Sequence, residues 1–408
     1  MARRSMWRGL ALLAGFGLAA GAQDWPQWRG PNRDGVAPDA KLPDAWPKEL
    51  RPLWRAEVGE GYSGPAIVDG KVVVLARQEE EEVILCLNAA DGKAVWRDSY
   101  EAPYTVSPPA REHGKGPRAT PVVAGGRVYT HGVSGIVSCL DFATGKVIWR
   151  RKHLSFGAAS LLLEGKLLIH GIMWMDGEEL RGAVVGMDKD SGRPFWQQTA
   201  DVPAYGSPIV AELAGRRQII TLTQHKLIAV SPATGELLWE TPFAVYNEMN
   251  ILTPVVARNL AIISGYELGT RAFRITEANG KLAAEPVWQN EGAAMFISSP
   301  VVQGGHLYGL ARIRGGSIVC LSLADGQRVW SSRGNLGEYA SFIRAGDKLL
   351  VLTGKGELLV VAADPSEYRE LARIRVTDDP SWAHLALAGS RLYVKDKTHL
   401  TCFELAEK

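Results

Sequence analysis

Aromatic, guanidinium and hydroxyl side chains recur at fixed places along this chain. Eight short apolar runs each begin at a Pro or its equivalent, near residues 65, 121, 160, 208, 254, 300, 342 and 385. Three residues before that place stand Tyr62, Arg118, Gly157, Tyr205, Ile251, Ile297, Tyr339 and Trp382. One residue before it stand Gly64, Thr120, Ala159, Ser207, Thr253, Ser299, Ser341 and His384. Aromatic faces and a guanidinium above converging hydroxyls suit a planar ligand, a sugar or a peptide segment. The same residues also have a structural use, in which small hydroxyls satisfy crowded backbone and aromatics seal the loops. Both readings stay open from sequence.

Few other residues are spaced for chemistry. There is no Gly-x-Ser-x-Gly elbow, His-Glu-x-x-His helix or Walker loop, and no Cys-x-x-Cys-His for a haem. Asp188-Lys189-Asp190-Ser191-Gly192 has the look of a calcium loop but lacks the downstream Glu, so turn chemistry explains it. His131 and His170 occupy equivalent places in successive units, which favours packing. No metal site is expected.

The elements that must hold these residues come from a repeat. Asp91-Gly92…Trp96, Thr144-Gly145…Trp149, Ser191-Gly192…Trp196, Thr234-Gly235…Trp239 and Asp325-Gly326…Trp330 share one spacing. A stretched copy runs Asn279-Gly280…Trp288. Each unit reads as a short strand, a tight turn, a β-branched strand, a third strand, the Gly turn and a Trp-bearing strand. That is an antiparallel meander of four strands. The seventh unit lacks the Trp, and its fourth strand is expected over Glu370–Val376. The eighth stops one strand short, while Leu53-Trp54-Arg55 precedes the first unit and resembles Ile148-Trp149-Arg150. An N-terminal strand carrying Trp54 therefore closes the ring and removes its open edges. The expected fold is all-β, an eight-bladed propeller over residues 50–408. The Trp residues pack against neighbouring blades. Cys86, Cys139, Cys320 and Cys402 fall at one equivalent position, which predicts buried free thiols rather than disulfides.

Three loops should decorate the face carrying Tyr62 and its equivalents. Arg97–Arg118 carries Arg111, Glu112, His113 and Lys115; Ile172–Leu180 carries Met173, Trp174 and Met175; Tyr246 opens a third. The apolar residues among them either mark a partner surface or fold back over the mouth.

Lys and Arg number 46 against 44 Asp and Glu, and the small excess comes from Arg3, Arg4 and Arg8. Nothing in this balance argues for a nucleic-acid partner. Those three arginines, the apolar run Gly9–Ala20 and Ala20-Gly21-Ala22 read as a signal peptide over 1–22, cleaved near Ala22. No Cys follows the run, which argues against a lipid anchor, and no later segment reads as transmembrane. Residues 23–49 read as an extended segment. The expectation is a monomer, periplasmic or extracellular.

The units resemble the tryptophan-docking repeat, Ala-x-Asp-x-x-Thr-Gly-x-x-x-Trp, of the PQQ-like propeller superfamily; Asp141-Phe142-Ala143-Thr144-Gly145…Trp149 matches it closely. The Asp becomes Asn88, Ser231 and Ser322 elsewhere. Asp24-Trp25-Pro26-Gln27-Trp28-Arg29-Gly30 resembles the N-terminal signature of secreted PQQ-like repeat proteins of environmental bacteria. The resemblance implies either a cofactor-free binding scaffold like the BamB-like outer-membrane assembly subunits, or a PQQ- and calcium-dependent alcohol or sugar dehydrogenase. A vicinal Cys pair under the quinone is common in such dehydrogenases and is missing here. The leading expectation is a scaffold without cofactor and without catalytic residues, binding a protein segment or a glycan. A dehydrogenase with a non-standard site and a lectin-like module are the alternatives.

Overall fold

A computed structural model describes residues 24–106, 112–155 and 157–405. The expected signal peptide and its cleavage site, and Arg111 in the first long loop, lie outside the described residues. Eight four-stranded antiparallel sheets form the blades of a propeller. The innermost strands are Ala66–Val68, Val122–Ala124, Leu162–Glu164, Ile209–Leu213, Val255–Ala257, Val301–Gln303, Ala340–Ala345 and Ala386–Ala388. The fourth strand of the seventh blade is Glu370–Arg375. Pro52–Glu57 pairs antiparallel with His399–Glu404 and supplies the outer strand of the eighth blade.

The pairing register explains the repeat residues. Trp96 lies opposite Cys86, Trp149 opposite Cys139, Trp196 opposite Gly186 and Trp239 opposite Ala229. Trp288 faces Ala272, Trp330 faces Cys320, and Trp54 faces Cys402. The position is small because an indole covers it: a Cβ on Gly186 would sit 2.4 Å from the Trp196 ring. All four thiols are buried and free.

Six of these seven indoles also hydrogen-bond to the next blade. Trp54 Nε1 donates to the Ala89 carbonyl at 3.0 Å and Trp96 Nε1 to that of Phe142 at 3.0 Å. Trp149, Trp196, Trp288 and Trp330 do the same to Lys189, Pro232, Leu323 and Asp364. The turn glycine of the next blade lies under the ring; Gly92, at φ 72°, would place a Cβ 2.6 Å from Trp54. Trp239 departs from the pattern and donates to Gln218 Oε1 at 2.6 Å. The following blade carries the stretched hairpin Gly269–Ala278 and Lys281–Asn290, so no matching turn reaches Trp239.

The N-terminal segment runs into the axis. Trp25 bridges Ile67 in blade one, and Val123 N of blade two donates to the Pro26 carbonyl at 2.9 Å. Trp28 Nε1 reaches Thr253 Oγ1 of blade five at 2.8 Å. Arg29 Nη2 donates to the Pro300 carbonyl of blade six, and Arg33 Nη1 to the Leu161 carbonyl of blade three at 2.8 Å. Val36 then bridges Arg344 in blade seven. The segment enters beside the turn at Asp69, whose N–H donates to Asp24 Oδ1. It bends at Gly30, whose φ of 83° and closeness to the Trp25 ring exclude a side chain, and leaves past blade seven.

Candidate functional site

In a four-stranded meander the innermost strand begins on the face where blades are linked and ends on the face of the glycine turns. The linking face carries the residues three places before each innermost strand. Tyr62, Tyr339 and Trp382 meet there, because blades one, seven and eight are neighbours around the ring. Trp382 stacks on Tyr339 with centroids 5.3 Å apart and planes 7° apart. His113, from the first long loop, packs edge-on against Trp382 at 4.5 Å and against Tyr62 at 6.1 Å. Tyr62 and Tyr339 are buried in this cluster, while Trp382 and His113 are half-buried.

Arg118 stands half-buried beside this cluster and joins Tyr205 to it electrostatically. Burial raises the Tyr62 hydroxyl and the Arg118 charge opposes the rise. Burial and then Arg118 hold His113 below the usual imidazole value. Tyr205 is raised by burial, with Arg118 opposing. Burial likewise raises Tyr339. These rings are neutral at pH 7, so they offer the face aromatic surface with the Arg118 charge beside them.

The hydroxyls below serve the backbone. Thr120 N donates to Ser160 Oγ at 2.9 Å, and Ser160 N to Ser207 Oγ at 2.9 Å. Thr253 N donates to Ser299 Oγ and Leu385 N to Ser341 Oγ, so one blade's hydroxyl accepts from the blade before or after it. Thr120, Ser207 and His384 are all buried. His384 packs against Trp28 at 5.1 Å and Trp25 at 6.5 Å, and burial with the Arg29 charge lowers it to about 3. The segment 24–37 is thus the floor of the aromatic face.

The other apolar residues expected on this face divide. Tyr246 is 63% exposed and Met175 is 55% exposed. Met173 is not at a hairpin tip: the strand Leu167–Asp176 continues through it, and it is 7% exposed, bridged to Leu154. Trp174 is half-buried against the core between blades two and three.

Sequence reasoning missed three features here. Arg312 lies over Tyr266 at 4.6 Å and Phe296 at 5.6 Å, and reaches Glu338 at 3.9 Å beside Tyr339. Lys395 Nζ is buried and donates into a ring of carbonyls that includes Gly61 at 2.7 Å and Gly59 at 3.1 Å; burial lowers it to about 7. The channel-filling segment is the third. Its signal was legible as two Trp and two Arg within Asp24–Gly35, an odd composition for a solvated strand.

Relatives share this framework. A family model described as outer membrane protein assembly factor BamB matches residues 79–332. The outer membrane protein assembly factor BamB of Burkholderia pseudomallei is 26% identical over 263 residues, covering 59% of this chain and 63% of that protein. A quinoprotein ethanol dehydrogenase of Pseudomonas aeruginosa is 26% identical over 201 residues, covering 45% of this chain and 29% of that protein. The chain thus spans less than two thirds of either relative. Among solved structures, BamB from Moraxella catarrhalis superposes with a TM-score of 0.62 at 16% identity, covering 88% of this chain and 98% of that one. A quinohemoprotein alcohol dehydrogenase from Pseudomonas putida gives 0.66 at 12% identity, covering 95% and 81%. Both structures share the propeller, and the sequence match over more than half of its length makes the chain a member of the family described as outer membrane protein assembly factor BamB.

Proposed function

We propose that this chain is an exported, monomeric, non-catalytic propeller that binds an extended protein segment across the face carrying Tyr62, Arg118, Tyr205, Tyr339 and Trp382. The observation that carries this reading is the filled axis. Trp25, Arg29 and Arg33 occupy the channel between the innermost strands and bond to carbonyls of blades three and six. A planar quinone with a cation would compete with the segment for that space, which supports a cofactor-free scaffold. Two features of the chain weigh the same way. No two Cys are adjacent, and among the described residues no three His, Cys, Asp or Glu are grouped to hold a metal. Two relatives are named as an assembly factor and a dehydrogenase; the channel residues favour the former kind of role. Exposed Tyr246 and Met175, with half-buried Trp382, Tyr205 and Arg118, give the rigid aromatic anchors that interfaces use.

The test pairs two measurements. Reconstitution with PQQ and calcium is expected to give no dye-linked oxidation of alcohols or sugars; robust turnover overturns the reading. Selection on a peptide library, with a glycan array in parallel, is expected to enrich extended peptides. Their affinity should fall about tenfold or more in Tyr205→Ala/Trp382→Ala, with little change in Tm. Enrichment of glycans alone would make the module lectin-like.

A further inference from the structure

The channel-filling segment brings two guanidiniums into the driest part of the molecule. Arg29 is 1% exposed and Arg33 is 4% exposed. Their acceptors are neutral: Arg29 Nη2 donates to the Asp34 and Pro300 carbonyls, and Arg33 to the Leu161 and Ser160 carbonyls and Gln27 Oε1. Arg29 Nε and Nη1 and Arg33 Nε are buried and find no acceptor in the protein. His384 Nε2 is likewise buried without a protein partner, and its Nδ1 is engaged with the Leu385 carbonyl.

The charges do not cancel. Asp34 offsets part of the Arg29 charge, and Arg344 draws on the same carboxylate. The field of Arg29 instead opposes the charge on Arg33, and burial opposes both. Arginine does not release its proton in proteins. Neutral water satisfies stray N–H groups but leaves the net positive charge of a low-dielectric channel in place. A buried charge is normally paired. Guanidinium donors in a fixed fork match an oxyanion, and they also accept a halide.

From this arrangement we infer that the axial channel is a binding site for one small inorganic anion, held between Arg29 and Arg33 beneath the aromatic face. The anion joins the segment 24–37 to the ring by neutralising the two arginines that carry its contacts to blades three and six. The site is separate from the proposed peptide face and does not depend on it. Its ligand is a chloride-sized halide or a sulfate- or phosphate-sized oxyanion, the shared chemistry being compact negative charge.

The full-length protein, dialysed exhaustively into gluconate, is titrated with chloride, sulfate and inorganic phosphate at constant ionic strength. Gluconate, bulkier than the three test anions, serves as the background anion. The expected result is a saturable rise in Tm of about 3 °C for at least one anion, with one site by calorimetry. Response to chloride alone marks a halide site; response to sulfate or phosphate marks an oxyanion site. Arg33→Gln should weaken that affinity by about tenfold or more, while Arg33→Lys retains part of it. A rise that grows with salt without saturating, or an unchanged affinity in a folded Arg33→Gln protein, overturns the inference. Should Arg33→Gln fail to fold, crystals of the wild type grown in bromide decide. An anomalous peak within hydrogen-bond reach of Arg29 and Arg33, in bromide or in parallel crystals grown in selenate, supports the site, and no peak there in either overturns it.

Discussion

Three imidazoles illustrate how single residues set the acid limit of this molecule. His131 donates from Nδ1 to the Ala159 carbonyl at 3.1 Å, which leaves Nε2 to accept the Ser155 hydroxyl at 2.8 Å. His170 lies 5.7 Å away and His153 lies 5.0 Å from His170, beside a small cavity lined by His131, His170, Met173 and Pro203. Burial lowers His131 to about 4 and His170 further, and lowers His153 as well. A proton on one ring would face neighbours that cannot accept its charge. The sign follows from proton counting. Below its ordinary value the unfolded chain binds protons that the folded chain refuses, so stability is complete above ~6.5 and is lost as pH falls from there toward the folded values. His131 alone should account for about 3 kcal/mol of that loss. Melting curves from pH 7.5 to 4 are expected to fall steeply in the wild type and less so in His131→Gln, whose amide does not titrate. Parallel curves for the two proteins would remove His131 from the account. Position equivalence in the sequence had already marked His131 and His170 as packing residues. The partnering of His153 was illegible, because that residue comes from a link between blades with no repeat phase.

At the level of elements, the sequence showed the blades because each strand repeats the same local problem. The Cys–Trp pairs make the point: Cys139 and Trp149 stand at fixed offsets from Gly145, and their register across two strands follows from the turn between them. Ring closure was legible for the same reason, since Trp54 carries the pattern of the outer strand the eighth blade lacks. That strand does more than cover an edge. Its indole crosses to the Ala89 carbonyl of blade one at 3.0 Å, and Arg391 of blade eight reaches the same carbonyl at 2.9 Å. Deleting residues 50–59 would free the edge of His399–Glu404 and remove a buried Trp, a loss of about 3–5 kcal/mol from the indole alone. The deleted protein should aggregate or lose cooperative unfolding in calorimetry and size-exclusion chromatography. A monomer with the wild-type Tm would contradict the closure. The loops resisted reading for a physical reason. The spacing places Met173 in a loop because nothing in it tells that Leu167–Asp176 runs on as a strand. Strand length there is set by the partner Glu179–Asp188 across the hairpin.

For the whole molecule, the least legible feature is the segment that fills the axis. Residues 24–37 make no periodic pattern, and their partners lie hundreds of positions away, 271 in the case of Arg29 and Pro300. Such contacts exist only after eight blades have assembled around an axis, so no local rule announces them. The ring closes through Pro52–Glu57 and His399–Glu404, both outside the segment. The segment is therefore expected to be an insert in a propeller that folds without it. A protein beginning at residue 38 should keep its β-sheet circular dichroism and remain monomeric. Its Tm should fall, because Trp25 is fully buried on Ile67 and His384 and its indole alone contributes about 3–5 kcal/mol. The anion response should vanish with Arg29 and Arg33. Opening the axis also separates two kinds of propeller. If the segment merely covered a competent quinone site, the shortened protein would bind PQQ with calcium and gain its absorbance. The expected outcome is no such binding, since the hydroxyls of Ser160, Ser207 and Ser299 already accept between blades, and neither they nor Thr120 bring a carboxylate to the opened channel. Tight PQQ binding by the shortened protein would make the segment a plug over a dehydrogenase site. Unfolding of the shortened protein would make it part of the core.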